Sequence, residues 1–322
     1  MTSIIQFAQI EADLPHEVLF DNRVFLRGEK LGTGAFGAVY SFWSDDERNK
    51  RVAMKIVFDA DEEESGAVKQ EVEIWRRLSH PNIVGLLDYM TSSLSGLHCF
   101  LMEHAAGGDL LDFISRKKGK IPKTLKHTIT CQLVDAVAYI HSKGFTHCDI
   151  KPENVLFFDK DTVKLCDFGL ATQVETDVDG KEEKIFEWSG TALYFSPGKH
   201  ARQATLSTKD DIWALGYTLL TLSTGRYPWR WPSSSNVDYK LWQGNPRRNR
   251  HFKKVIQEKP LFEFLQNMLH PSEEHRWTAE EAKKSEYYRN APVASRTLSQ
   301  WAKLIKAKVT GPIVAIKSKM IK

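Results

Sequence analysis

Apolar and polar positions repeat with two different periods along this chain, and the period changes once. From Val24-Phe25-Leu26 through Val39-Tyr40, and again over Val52-Ala53-Met54-Lys55-Ile56-Val57, short runs rich in β-branched and aromatic residues predict strands. An acidic stretch at residues 59–64 leads into a segment where Val68, Val72, Trp75 and Leu78 recur at helical spacing. Two more strands are expected at residues 83–87 and 98–102. After Gly107-Gly108 helical spacing takes over. Residues 125–142 place Ile129, Leu133, Val137 and Ile140 on one face, with Gly144 set to end the helix. Short strands are expected on either side of Asn154 and Asp167. The stretch 207–223 ends in DIWALGYTLLTLS, is bounded by Gly225 and Pro228, and reads as a buried central helix. Residues 260–269 and 278–285 supply further helices.

The fold class expected from this pattern is α+β. A small strand-rich lobe with one helix (22–103) joins, near 103–108, a larger and mainly helical lobe (106–290). Residues 1–21 read as an extension and 291–322 as a basic tail. A cleft between two such lobes is where a small ligand is expected.

Composition narrows the function classes. The 322 residues are 42% hydrophobic and 27% charged, which is ample for a core and shows no low-complexity bias. A net charge of +4 is too small to make nucleic acid or membrane the main partner. No apolar run approaches the roughly 20 residues that span a bilayer, and the amino terminus lacks the basic region of a secretory signal. Cys99, Cys131, Cys148 and Cys166 form no close-spaced pair suited to a metal or redox motif, so cytosol or nucleus is the expected compartment.

The candidate chemistry begins with Gly32-Thr33-Gly34-Ala35-Phe36-Gly37-Ala38-Val39, where three glycines let the backbone approach a polyphosphate. A dinucleotide-binding reading needs a helix straight after the glycines; a strand follows instead, carrying Lys55. Lys55 could be an ordinary surface lysine, but its apolar strand, 18 residues after Gly37, favours a functional role. Glu71 shares a helix face with Trp75 and Leu78, so it points inward and needs a partner, for which Lys55 is the obvious one. The most specific text is His147-Cys148-Asp149-Ile150-Lys151-Pro152-Glu153-Asn154 followed by Asp167-Phe168-Gly169. Phosphoryl transfer needs a carboxylate for the attacking hydroxyl, a cation near the moving phosphate and oxygen ligands for magnesium. Asp149, Lys151, and Asn154 with Asp167 are those groups in turn.

With these motifs in order, the chain resembles the eukaryotic protein kinase superfamily over about residues 22–290. DIKPENVLF, DFGLAT, GTALYFSP and DIWALG resemble the serine/threonine branch related to calcium/calmodulin-dependent kinases. GGDLLDFI, RYPWRWPSSS and DYKLW are closest to the DNA-damage checkpoint kinases of the first type, which carry a regulatory region after the kinase domain where this chain has about 30 residues. The resemblance implies a bilobal kinase fold, ATP and Mg2+ as cofactors, and a monomer acting on protein serine or threonine, with a place in DNA-damage or cell-cycle checkpoint signalling. It assigns catalysis to Asp149, Lys151, Lys55, Glu71 and Thr191, the last bridging Asp149 and Lys151. It assigns the nucleotide site to Leu31, Gly32, Gly34, Gly37, Val39, Ala53, Lys55, Met102, Glu103, Ala105, Asp109 and Leu156, and the metal to Asn154 and Asp167. Phe168 and His147 would stack with Trp75, which is bulky for that place, and Asp211 would anchor the catalytic loop. Asp109 and Glu153 match positions that, in basophilic relatives, receive an arginine two or three residues before the acceptor, so Arg at minus three is expected; both could instead simply be solvated.

Three departures from the family pattern carry expectations of their own. Cys148 replaces the arginine that normally receives an activation-loop phosphate, and the loop here is acidic (Glu175, Asp177, Asp179, Glu182, Glu183), so activity without loop phosphorylation is expected. Ser196-Pro197-Gly198 stands where Ala-Pro-Glu is usual, so Arg276 lacks its glutamate; Glu273, Glu274 or Glu280 substitutes, or that corner is looser. Cys166 reads as a packing residue rather than a reactive thiol. The basic run Arg247, Arg248, Arg250, Lys253 and Lys254 reads as a solvated edge, with an acidic partner or import signal as the alternative; Lys303, Lys306, Lys308, Lys317, Lys319 and Lys322 read as a flexible end or a partner segment. Two rival readings remain: a pseudokinase scaffold, supported by Cys148 and Gly198 but opposed by the retained catalytic set, and a small-molecule kinase, which would not need GTALYFSP.

Overall fold

The computed structural model describes residues 16–20, 23–33, 37–44, 51–58, 62–92, 97–118 and 120–290. Gly34, the start of the acidic stretch at 59–61, most of the extension and the whole basic tail lie outside the described residues.

The fold is α+β, a curled antiparallel sheet with one helix followed by a helical region. Strands β1 (Glu17–Phe20), β2 (Arg23–Thr33), β3 (Gly37–Ser44) and β4 (Arg51–Phe58) come first. Helix α1 (Glu62–Arg76) follows, then β5 (Leu86–Ser92) and β6 (Leu97–Glu103). The six strands run in the order β1-β2-β3-β4-β6-β5. Because side chains alternate across a strand, β4 sorts its residues onto two faces. Val52, Met54 and Ile56 join Phe25, Tyr40, Phe42 and Leu101 in a core on the outer face. Ala53 and Val57 face the main core, and Lys55 shares their side. The register then brings Val39 beside Lys55 and Met102 beside Ala53.

The chain enters the helical region through α2 (Leu110–Lys117), which the periodicity reading missed; Asp109 caps it by accepting from the Asp112 amide at 2.8 Å. Helix α3 (Lys123–Ser142) buries Ile129, Leu133, Val137 and Ile140, as its spacing requires. Short pairs β7 (Phe145–Thr146) with β10 (Thr172–Gln173) and β8 (Val155–Phe157) with β9 (Val163–Leu165) frame the loops at Asp149 and Asp167. After α4 (Pro197–His200), helix α5 (Ser207–Thr224) runs through the centre, with Asp211 to Leu222 buried without a break. Helices α6 (Val237–Gly244), α7 (Lys253–Gln257), α8 (Lys259–Met268), α9 (Ala279–Lys283) and α10 (Glu286–Arg289) complete it. Trp213, Tyr217, Trp229, Tyr239 and Trp242 pack edge to face or tilted between α5 and α6, their centroids 5.2–6.1 Å apart. Among the described residues no helix is long and apolar enough to cross a membrane.

Candidate active site

Lys55 sits where the alternation of β4 puts it, and α1 brings Glu71 to it from the other side. The Lys55 Nζ lies 2.8 Å from Glu71 Oε1 and 2.9 Å from Asp167 Oδ1. Burial would pull the Lys55 ammonium down, but Asp167 and Glu71 outweigh it and raise its pKa, so it stays charged. Burial would likewise raise Asp167; the adjoining Lys55 ammonium, with His147 and Lys151, holds it below the usual carboxylate value. Its side chain remains 47% exposed.

The loop after β7 builds the second half. Asp149 Oδ1 accepts from the Thr191 amide at 3.0 Å and from Thr191 Oγ1 at 2.7 Å. Its Oδ2 accepts from Lys151 Nζ at 2.6 Å and Asn154 Nδ2 at 3.1 Å, and Lys151 also donates to Thr191 Oγ1 at 2.8 Å. Thr191 can come this close because Gly190 precedes it. With φ at +99°, a Cβ there would lie 2.6 Å from the Cys148 carbonyl, so only glycine fits.

Asp211 of α5 is the anchor of this loop. It accepts from the amides of His147 at 2.8 Å and Cys148 at 2.9 Å, and from His141 Nε2 at 2.9 Å. Burial would raise its pKa, but these donors outweigh that and lower it. Cys148 is held at φ +64° and Asp167 at φ +66°, in the left-handed region that costs a non-glycine residue of order 1–3 kcal/mol. Two of the four non-glycine residues with positive φ among the described residues therefore lie in the loops that carry the polar chemistry, the others being Lys118 and Arg202. Trp75, Phe168 and His147 form a continuous buried stack at 5.7 and 5.0 Å. Trp75 is buried in full there, and its indole N–H is satisfied by donating to the Val84 carbonyl at 2.7 Å.

The remaining expected residues distribute around this centre. Leu31 and Gly32 lie near the end of β2, with Gly32 paired to Val39. Gly37 opens β3, and a Cβ on it would meet the Ile56 carbonyl at 2.0 Å. Met102 is buried, Ala105 partly exposed, and Asp109 bridges to Leu156 across the connection. The Glu103 amide is taken by the Gly85 carbonyl at 3.1 Å, and its carboxylate by Gly85 and Lys164 at 2.8 and 2.6 Å. The amide is therefore committed within the sheet, and of the Glu103 backbone only the carbonyl could face a ligand. Glu153 accepts from Tyr194 at 3.2 Å. The basic run from Arg247 to Lys254 is exposed at all five positions.

Cys148 lines a cleft under the activation segment with Glu187, Lys199 and Asp210, and burial pushes its thiol up to about 11. Burial likewise pushes Cys166 above the ordinary thiol range, as a packing role requires. The Arg276 expectation is corrected. No hydrogen bond or ion pair joins it to Glu273, Glu274 or Glu280, and the corner is not loose, since Arg276 is 2% exposed. Its guanidinium instead donates to the carbonyls of His270 (3.0 Å), Lys209 (2.9 Å) and Pro271 (3.3 Å), with Asp210 at 3.9 Å and the Trp213 ring beneath it. A Cβ at Gly198 would lie 2.7 Å from Thr205 Cγ2, so any side chain there has to displace the buried Thr205 methyl. Burial pulls the Arg276 pKa to about 10, still charged at neutral pH. Arg276→Met orphans those carbonyls and is expected to lower the unfolding free energy by about 3 kcal/mol in urea titrations. A change below about 1 kcal/mol would rule this pairing out as a stabilising element.

Sequence reasoning missed Asp109 as a helix cap, His141 as a partner of Asp211, and the contact of Glu182 with α5. Glu182 was visible only as one of five acids in the loop.

Comparison with known proteins agrees with this geometry. The family model described as protein kinase domain matches residues 25–288. The chain is 29% identical to CBL-interacting protein kinase 15 of Oryza sativa subsp. japonica, over 85% of this chain and 61% of that protein. It is 31% identical to CBL-interacting serine/threonine-protein kinase 2 of Arabidopsis thaliana, over 81% and 56%. It is 32% identical to serine/threonine-protein kinase chk-1 of Caenorhabditis briggsae, over 67% and 43%. The chain thus spans about three fifths or less of the length of these relatives. Matched over most of its length, and with the motifs assembled into one site, the chain belongs to the protein kinase domain family.

Proposed function

We propose that this protein is a serine/threonine kinase that transfers the γ-phosphate of ATP to a protein hydroxyl. The observation that carries the reading is the convergence of Lys151, Asn154 and Thr191 on Asp149, within 2.6–3.1 Å. Asp149 orients the acceptor hydroxyl and takes its proton, help worth roughly 10²–10⁴-fold. Lys151 and Lys55 would stand as fixed charges beside the phosphate oxygens of a bound nucleotide, and Thr191 keeps Asp149 and Lys151 in register.

The residues present fit magnesium. Asp167 is ionised and open to solvent, and both hydrogen bonds from the Asn154 side-chain nitrogen go to Asp149, which leaves the amide oxygen as a ligand. No cluster of three or more His, Cys, Asp or Glu suited to a metal occurs among the described residues. Two oxygen ligands completed by substrate phosphates suit magnesium. When bound, the ion neutralises charge on the phosphates; Asp167 and Asn154 would hold it.

The nucleotide would lie between Leu31, Val39, Ala53, Met102 and Leu156, with backbone groups of Glu103 and Ala105 toward the base. Asp109 and Glu153 flank the substrate side, so an arginine at minus three is the favoured substrate feature. Cys148 cannot clamp a loop phosphate, and the enzyme works without one. The motifs GGDLLDFI and DYKLW, with the similarity to chk-1, favour a checkpoint role in nucleus or cytoplasm for a monomeric enzyme.

The test is radiolabelled γ-phosphate transfer by phosphatase-treated protein to an Arg-containing serine peptide and its Arg→Ala counterpart. Transfer that survives the phosphatase and favours the arginine peptide is expected. Equal use of both peptides defeats the basic preference. Binding of ATP with no transfer to any peptide or protein would instead favour a scaffold.

A further inference from the structure

The residue capping helix α5, Leu206, has no side-chain acceptor, so the first donors of the helix must find one elsewhere. Glu182 of the activation segment provides it. Its Oε1 accepts from the Thr208 amide at 2.9 Å and from Ser207 Oγ at 3.1 Å, and its Oε2 accepts from Thr208 Oγ1. A second carboxylate, Glu273, accepts from the Leu206 amide at 3.1 Å and pairs with Lys184, two residues beyond Glu182. Around these contacts the segment closes on itself. The Glu183 amide bonds the Glu175 carbonyl, and Ile185 exchanges both backbone hydrogen bonds with Thr205, all at 2.9 Å. Thr208 is one turn before Asp211, which carries the loop of Asp149, and the segment itself goes on to Thr191.

We propose that Glu182 is a positioning residue that docks the activation segment on the amino end of α5 and so sets Thr191 against Asp149 without a phosphate. An anion at a helix amino terminus meets free amides and the positive end of the helix dipole. This is the charge a loop phosphate would otherwise bring, supplied here by the chain and directed to α5 because Cys148 offers no cation. The inference rests on the kinase reading, but its structural half can be judged apart from it.

The experiment compares the full chain with Glu182→Ala and Glu182→Gln, all phosphatase-treated, by amide hydrogen exchange and by peptide and ATP kinetics. Glu182→Ala is expected to speed exchange at Thr208, Glu183 and Ile185 by roughly tenfold. It should also lower kcat and raise KM for the peptide, leaving KM for ATP unchanged. Glu182→Gln, which keeps one acceptor oxygen, should recover part of both losses. Unchanged exchange at these amides overturns the proposal, as does faster exchange along the whole of α5, which would make Glu182 a general stabiliser. If wild type transfers no phosphate, the kinase reading fails while the exchange data still decide whether the segment is docked.

Discussion

Asp149→Asn is expected to lower the single-turnover rate of peptide phosphorylation by about 10²–10⁴-fold, with ATP binding retained. The substitution preserves shape and leaves an oxygen for Thr191, so the segment stays in place. It turns an amide N–H₂ toward Lys151 Nζ and Asn154 Nδ2, which both donate to that oxygen now. Lys151 thus loses its partner at 2.6 Å as the substrate loses its proton acceptor. Both effects fall on the transferring step, which is why kcat rather than KM for ATP should carry the loss. A rate within about threefold of wild type would mean that another group accepts the proton.

Asp211→Asn should have the largest effect on stability, an expected loss of about 3–5 kcal/mol in urea unfolding, together with most of the activity. Three donors converge on this buried carboxylate, and an amide cannot accept from all of them. Oδ2 serves the His147 amide and His141, and Oδ1 serves the Cys148 amide, so whichever way the Asn is turned one backbone amide is left facing an N–H and the hold on Cys148 at its positive φ is weakened. The sign of the pH dependence follows. The folded pKa of Asp211 is depressed, so its contribution is present above the unfolded value of about 3.9 and is lost as pH falls below that value through the folded pKa. Wild type should therefore lose this stability only under strongly acidic conditions, and Asp211→Asn should flatten that part of the profile. A mutant as stable as wild type would remove Asp211 as the anchor.

Much of the site was legible before any coordinates. A single lysine in the apolar run 52–57 and a glutamate on the same helix face as Trp75 and Leu78 each called for a buried partner, so the Lys55–Glu71 pair was implied by two local patterns. The order Asp149, Lys151, Asn154, Asp167 is likewise a local signal, because the loop that carries the first three is short. The buried centre of α5 was visible as an unbroken apolar run.

Other features depended on segments distant in sequence. Glu17–Phe20 joins the sheet only by pairing with β2, and helix α2 is short enough that its cap, not its periodicity, defines it. The partners of Arg276 are backbone carbonyls, which every residue carries, so no residue type announces them. Glu182 and Thr208 meet across a fold in the activation segment, where five acids look alike in the text and one meets the open end of a helix. The amino-acid sequence by itself determined which chemical groups the protein carries and which face of each element they occupy, because alternation and helical period are local. Tertiary packing alone decided which carboxylate caps α5, what satisfies Arg276 and how Asp211 holds its loop, because a hydrogen bond between distant segments depends on where the rest of the chain places its donors.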